Sequence, residues 1–300
     1  MKKKKILLLS DDLRMSSGVG TVSKNFVLGT LHKYDWVQAG GAIKHPEEGK
    51  IVDMNESIRK DTGIEDASLK IYPISGYGNQ ELVRQLINIE KPDAILHYTD
   101  PRFWVWLYQM EHEIRQNIPI FYYNIWDDLP YPRYNENFYE SSDLIMNISK
   151  QTVNIVEQVC QNKPRTDWDC TYIPHGIPEK TFFPIDKDNK ELKSFRKKVL
   201  HNKDKDFIIF WNNRNIRRKL PSDVIMAYKT FCDNLPKEKA EKCLLLMHTA
   251  PKDNNGTDLP EVVRNICPDY EVIFSHQRLD DKHMNFLYNI ADIQVNIASN

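Results

Sequence analysis

What the 300-residue chain lacks narrows the field first. Its five cysteines (Cys160, Cys170, Cys232, Cys243, Cys267) are odd in number and never stand in a C-x-x-C spacing. That argues against a disulfide framework and against a thiolate zinc site, and it fits a reducing, cytoplasmic compartment. Neither sign of charge dominates: 41 Lys plus Arg face 42 Asp plus Glu, for a net charge of −1. There is no global electrostatic signal for nucleic acid or a membrane surface, although a local patch stays open. No run approaches the ~20 apolar residues of a membrane helix. The basic start Lys2-Lys3-Lys4-Lys5 imitates a signal peptide, but the apolar run Ile6-Leu7-Leu8-Leu9 ends after four residues at Ser10. That is too short for a signal-peptide core. A P-loop is missing, and His112-Glu113 lacks the second histidine of H-E-x-x-H. A zinc protease is therefore disfavoured.

What is present alternates between strand-like and helix-like stretches. Ile6–Leu9 reads as a strand entering a parallel sheet, because such strands are short continuous apolar runs. Strands are expected near 36–43, 51–54, 69–74, 94–98, 118–124, 143–148 and 170–174. Helices are expected near 22–31, 79–90, 103–115 and 149–158. After a charged stretch the pattern resumes with strands near 207–211, 243–247, 270–274 and 293–297, and helices near 222–235, 259–265 and 282–290. This is the signature of an α/β fold with doubly wound sheets. The charged stretch 186–205 reads as a linker with one surface helix. The expected organisation is a first Rossmann-like domain over 1–180, a linker over 181–206 and a second Rossmann-like domain over 207–300.

Two loops carry candidate chemistry. Ser17-Gly18-Val19-Gly20 follows the first strand and opens a helix. Ser23 stands where a G-x-G-x-x-G fingerprint needs its last glycine, so a nicotinamide dinucleotide site is disfavoured. Gly18 and Gly20 either face a ligand or simply permit a tight strand-to-helix turn. The second loop is Asn212-Asn213-Arg214-Asn215-Ile216-Arg217-Arg218-Lys219, between the strand at 207 and the helix after Pro221. Ligands in open α/β sheets bind outside the carboxyl ends of strands, and helix amino termini favour anions. Arg214 and Lys219 are therefore candidate clamps for a phosphate or diphosphate, the other reading being a solvated basic turn.

In order along the chain, these stretches resemble the family-4 glycosyltransferases. Ser17-Gly18-Val19-Gly20 stands where that family has its glycine-rich loop. Ile173-Pro174-His175-Gly176-Ile177 resembles the segment that ends its first sheet. Arg214 and Lys219 have the spacing of its donor-diphosphate Arg and Lys, and 272–279 with 287–293 resemble the segment that frames the nucleotide base. The resemblance implies the GT-B architecture of two Rossmann-like domains facing a cleft. It implies transfer of a sugar, with retention, from a UDP- or GDP-linked nucleotide sugar to a hydroxyl acceptor, without a metal cofactor. Arg214 and Lys219 would stabilise charge on the leaving diphosphate. Gly18, Gly20, Arg278, Leu279 and Asn300 would contact the donor. The acceptor stays open: a sugar, a glycan or another hydroxyl, modified DNA included.

Two departures qualify the match. The family's E-x7-E region would begin just after Ser299-Asn300, so the second domain is expected to be incomplete. Where many members carry a histidine, this chain reads Ile125-Trp126-Asp127-Asp128. Trp126 takes that place, and Asp127 is a candidate to orient the acceptor hydroxyl or the donor sugar, or else a loop carboxylate. Alternatives are a non-catalytic sugar- or nucleotide-binding protein of the same fold, and a sugar-nucleotide epimerase. His97, His248 and His276 stand near strand ends, where they line a site or are satisfied polar residues. The aromatic belt of Tyr98, Phe103, Trp104, Trp106, Tyr108, Trp126, Tyr131, Tyr134, Phe138 and Tyr139 is expected to be mostly core. Part of it is a candidate stacking platform.

Overall fold

The computed structural model describes residues 2–298, which divide into two compact units at Gly176–Ile177. In the first unit the chain runs β1 (Lys4–Asp11), α1 (Gly18–Thr30), β2 (Tyr34–Gly41), β3 (Val52–Asp53), α2 (Asn55–Thr62), β4 (Leu69–Pro73), α3 (Gln80–Glu90) and β5 (Ala94–Tyr98). It continues α4 (Val105–Gln109), α5 (Glu111–Ile114), β6 (Ile120–Asn124), α6 (Glu136–Glu140), β7 (Leu144–Asn147), α7 (Lys150–Val159) and β8 (Cys170–Tyr172). One eight-stranded sheet has the order β3-β4-β2-β1-β5-β6-β7-β8. Every pairing is parallel except β3 with β4.

The centre of β1, Ile6–Leu9, is continuously apolar because it is covered on both faces. Leu8 packs in a layer with Val27 and Leu31 beside α1 and Ile58 of α2. Leu7 and Leu9 pack with Val83 and Leu86 of α3 and Leu107 of α4. The helices start where side chains can accept their first N–H groups: Ser17, Asn79 and Ser149 cap α1, α3 and α7. Such caps contribute about 1 kcal/mol each. Glu90, at the end of α3, is 4% exposed and accepts hydrogen bonds from Tyr72 Oη (2.6 Å), Lys5 Nζ (2.9 Å) and Lys70 Nζ (3.2 Å). It thereby ties α3 to β1 and β4.

The second unit comprises α8 (Lys190–Val199), β9 (Phe207–Asn212), α9 (Pro221–Asp233), α10 (Lys237–Ala240), β10 (Cys243–His248), α11 (Leu259–Ile266), β11 (Val272–Ser275), α12 (Asp281–Ile290) and β12 (Ile293–Gln294). Its sheet is parallel throughout, in the order β11-β10-β9-β12. Alternate residues of β9 serve the two faces. Ile209 and Trp211 pack with Val224 and Tyr228 of α9 and with Leu259 of α11. Ile208 and Phe210 pack with Leu192 of α8 and with Phe286 and Leu287 of α12.

Four expectations need correction. Residues 186–205 are not a linker: α8 seals one face of the second sheet, with Leu192 4% and Leu200 1% exposed. The compact division accordingly falls at 176, before the expected 181–206 segment. The single helix expected over 103–115 is a 3-10 turn (Pro101–Trp104) followed by α4 and α5, broken at Met110 (φ −106°, ψ 14°). Breaking the helix lets both Trp104 (0% exposed) and Met110 (4%) reach the core. The strand expected over 293–297 pairs only at Ile293–Gln294.

Substituting Leu192→Ala should lower the stability of the second unit by about 2–4 kcal/mol, as for a buried leucine. Urea unfolding checks this, and a linker residue would give no change. Burial alone would raise the Glu90 carboxyl, but its bonds from Tyr72, Lys5 and Lys70 hold it down to about 2. A depressed carboxylate stabilises the fold above its unfolded pKa of ~4.3 and loses that contribution as pH falls through the folded value. Glu90→Gln should therefore cost on the order of 2 kcal/mol at neutral pH, by the same linkage. Denaturation at stepped pH should show the gap closing as pH falls from about 4 toward 2.

Candidate functional site

Parallel strands bring all their carboxyl ends to one edge of a sheet, and a ligand crevice opens where the strand order reverses. In the first sheet the reversal lies between β1 and β5, which are paired from Ile6–Ala94 to Ser10–Tyr98. Asp11 leaves this edge at 8% exposure. It accepts hydrogen bonds from Ser17 Oγ (3.1 Å) and Tyr77 Oη (3.4 Å). Burial pushes the Asp11 carboxyl up against the opposing effect of those two bonds. Tyr77 is in turn pushed up to about 12 by its own burial and by the Asp11 charge. Sequence reasoning missed both residues: they lie 66 positions apart, and only the topology joins them.

The glycines of the first loop sit inside the first turn of α1. Neither has a left-handed backbone, so a positive φ is not what the strand-to-helix turn needs from them. Gly20 is needed for close approach: a Cβ there would lie 2.7 Å from Met15 O and 2.9 Å from Asp12 O. Gly18 faces open space. Around the edge, Tyr77 stacks on Phe103 (centroids 5.0 Å, planes 7° apart), and Arg102 lies 5.0 Å over the Trp126 ring. Arg102 also chelates Asp100, with Nη2–Oδ2 at 2.6 Å. Asp127 is exposed in the loop after β6, and its backbone carbonyl accepts from Gln151 Nε2 (2.8 Å).

The expected aromatic belt sorts by exposure. Tyr98, Trp104, Tyr108 and Tyr139 are core, whereas Phe103 (55%), Tyr131 (39%) and Tyr134 (61%) are exposed. His97 belongs to the core as well, fully buried and bonded through Nδ1 to Tyr108 Oη (2.7 Å). Burial pushes it down to about 3, which favours the neutral imidazole.

In the second sheet the order reverses between β9 and β12, and the Arg214 loop leaves β9 at that point. Asn213 Nδ2 donates to Asn296 Oδ1 across the reversal (3.2 Å). Arg214 is 64% exposed and its Nε donates to Asp253 Oδ2 (3.0 Å). That bond is the leading cause holding Asp253 below the usual carboxylate range. Asn215 is fully buried, and its amide donates to the carbonyls of Ala250, Pro251 and Thr257 at 2.8–3.3 Å. The loop that carries Asp253 is thus pinned to the loop that carries Arg214. Lys219 is half-buried on the 3-10 turn Arg217–Lys219.

The start of α9, which the anion expectation invoked, has fewer free N–H groups than an ordinary helix start. Pro221 opens α9 without an N–H, and the N–H groups of Asp223 and Val224 both donate to Leu220 O (3.1 and 3.2 Å). Arg278 and Leu279 are apart from the Arg214 loop. They line a hollow of about 850 Å³ between α8 and the β11–α12 turn, with Lys198, Phe195 and His283, and neither Arg214 nor Lys219 borders it. Asn300 lies outside the described residues.

No family model matches the chain, and no curated protein matches it in sequence. Solved structures do match it in fold. A glycosyltransferase from Rickettsia africae is 15% identical over 99% of this chain and 74% of its own, with a TM-score of 0.64. A trehalose-6-phosphate structure from E. coli, bound with UDP-2-fluoro glucose, is 12% identical over 98% and 78%, at 0.65. A UDP-forming α,α-trehalose-phosphate synthase from Burkholderia xenovorans, in complex with glucose-6-phosphate, is 11% identical over 98% and 78%, at 0.61. The chain has the α/β fold with parallel sheets of the GT-B glycosyltransferase structures.

The two glycines should respond differently to a methyl group. Gly20→Ala forces backbone oxygens apart and should cost about 1–3 kcal/mol, as overpacking does. Gly18→Ala, in open space at a helix start, should be neutral or gain a few tenths of a kcal/mol. Thermal unfolding of the two variants side by side checks the contrast.

Proposed function

We propose that the chain is a glycosyltransferase that moves a sugar, with retention, from a nucleoside-diphosphate sugar to a hydroxyl acceptor. The observation that carries this reading is the Arg214 loop at the strand-order reversal of the second sheet. It lies within a fold shared along nearly the whole chain with glycosyltransferase structures, one of which holds UDP-2-fluoro glucose. Another concerns glycosyl transfer with retention by trehalose-6-phosphate synthase.

The chemistry needs cations where Arg214 and Lys219 stand. Breaking the bond between the anomeric carbon and the donor phosphate oxygen builds negative charge on the diphosphate. Fixed cations lower that barrier because they gain energy as the charge appears. Arg214 presents a planar fork suited to phosphate oxygens, oriented by Asp253, and Lys219 supplies a compact second charge. The acceptor oxygen takes the place of the phosphate oxygen on the anomeric carbon, and its proton leaves with the diphosphate. Asp127 is proposed to orient the acceptor hydroxyl or the donor sugar. Arg278 and Leu279 are proposed to frame the base from the 850 Å³ hollow.

Thermal stability with UDP, GDP, ADP and NAD, each added separately, tests the donor site. A nucleotide at a hundred times its dissociation constant should add roughly 2.7 kcal/mol. UDP or GDP should raise the midpoint, and Lys219→Ala should abolish the shift. Alanine at Arg214 or Lys219 should also slow transfer by ~10²-fold or more, the scale of one electrostatic donor. A shift with NAD alone, or an unchanged rate in both variants, would sink the proposal.

A further inference from the structure

The carboxyl edge of the first sheet carries an exposed aromatic platform beside carboxylates, and its arginines are already neutralised. Phe103 is 55% exposed and rests on Tyr77, whose hydroxyl donates to Asp11. Asp100 lies next to Phe103 in the chain's turn and caps it, accepting from Arg102 N at 2.9 Å. The stacked pair therefore offers one exposed ring face with polar groups at its rim. A ring offers its flat face to the C–H face of a pyranose, while carboxylates accept hydrogen bonds from hydroxyls, and such charge-assisted bonds are the strong ones.

The charges decide what kind of sugar fits. Arg102 gives Nε and Nη2 to the two oxygens of Asp100, at 3.0, 3.1 and 2.6 Å. Arg14 gives three bonds to Asp12, the shortest 2.7 Å, and a fourth to Glu47 at 2.8 Å. His45 also lies against Asp12, at 3.1 Å, and the Lys44 charge helps hold the Glu48 carboxyl down, after its bonds from Ser75. The Asp11 carboxylate accepts from two hydroxyls, Ser17 and Tyr77, and Asp127 is exposed next in sequence to Trp126. By formal count the carboxyls of Asp11, Asp12, Asp100, Glu47 and Glu48 thus outnumber the cations Arg14, Arg102 and Lys44. Unlike Arg214, which gives only Nε to its carboxylate, Arg14 and Arg102 each give both Nε and Nη2, so a phosphate placed there would compete with carboxylates that already hold two nitrogens of each fork and would sit among like charges, which costs binding.

We infer that this edge, around Tyr77, Phe103, Asp11 and Asp100, binds an uncharged carbohydrate, neither a sugar phosphate nor DNA. This names the acceptor class within the transfer reading above and rests on it. The platform faces the sugar's apolar side, and the carboxylates take its hydroxyls.

Saturation-transfer NMR on the full chain tests the inference, with methyl glycosides of glucose, galactose, mannose and N-acetylglucosamine as probes. Glucose-6-phosphate and a short duplex DNA serve as charged counter-probes, and every titration is run with and without UDP. At least one methyl glycoside should bind more tightly than either charged probe. Phe103→Ala should weaken it about tenfold, on the scale of one aromatic contact. Tyr77→Phe keeps the stack, removes the bond to Asp11 and should weaken it less. UDP affinity should stay unchanged in both variants. Glycoside binding without any UDP binding would uphold the platform and remove the transfer reading. Tighter binding of glucose-6-phosphate or DNA would overturn the inference, as would UDP binding with no glycoside signal or glycoside binding indifferent to Phe103→Ala.

Discussion

Parallel pairing on both sides of β1 and on both sides of β9 is the constraint from which the remaining features follow. A strand hydrogen-bonded to two parallel neighbours must cross over through helices on the two faces, so both faces of that strand are buried. Leu7, Leu8 and Leu9 obey this in β1, as do Ile208, Phe210 and Trp211 in β9. Polar chemistry is then possible only where such a strand runs out. The chain places Ser10-Asp11-Asp12 at the end of β1 and Asn212-Asn213-Arg214 at the end of β9. Direction forces each end to the edge of its own sheet where neighbouring strands also end, so residues distant in sequence meet there.

The polar groups at both edges are held before any ligand arrives. The Ser17 hydroxyl accepts from Gly20 N to cap α1 and donates to Asp11, so the helix start and the edge carboxylate share an anchor. In the second unit Asn215 spends its amide on three carbonyls of the loop 250–257, and Gly256 lets that loop close in, since a Cβ there would lie 2.1 Å from Asn215 O. Leaving those carbonyls without donors would be costly, because an unmade buried hydrogen bond costs more than a made one contributes. Side-chain hydrogen bonds thus hold each edge where the regular structure has run out.

Strand positions were legible wherever an apolar run met strong punctuation. Ala94–Tyr98 stands as expected because Pro92-Asp93 precedes it and Asp100-Pro101 follows. Helices with a thin apolar stripe were harder. α2 shows only Ile58 buried in eight residues, which leaves almost no periodicity to detect. α8 hid its stripe of Leu192, Phe195 and Val199 among basic residues, and charge was mistaken for a linker. The Arg214 loop was visible because it interrupts its own local pattern. Asp253, 39 residues away, and Tyr77, 66 residues from its partner Asp11, carried no local signal. Their roles come from strand order, which one sequence does not display.

The Arg214–Asp253 pair bears directly on how a diphosphate would be held. At first sight a carboxylate beside a phosphate clamp works against it, since like charges repel. The geometry argues otherwise, because Asp253 engages Nε, the inner edge of the guanidinium, from a loop that Asn215 has pinned. An arginine side chain carries about 2 kcal/mol of rotamer entropy, and its planar fork acts best when its orientation is already set. The pair fixes that orientation in advance and keeps the cation 64% exposed. A site whose cation is preorganised loses less freedom on binding and responds more sharply to charge that develops during reaction. On the transfer reading, Asp253 thus belongs to the donor site as the residue that aims Arg214.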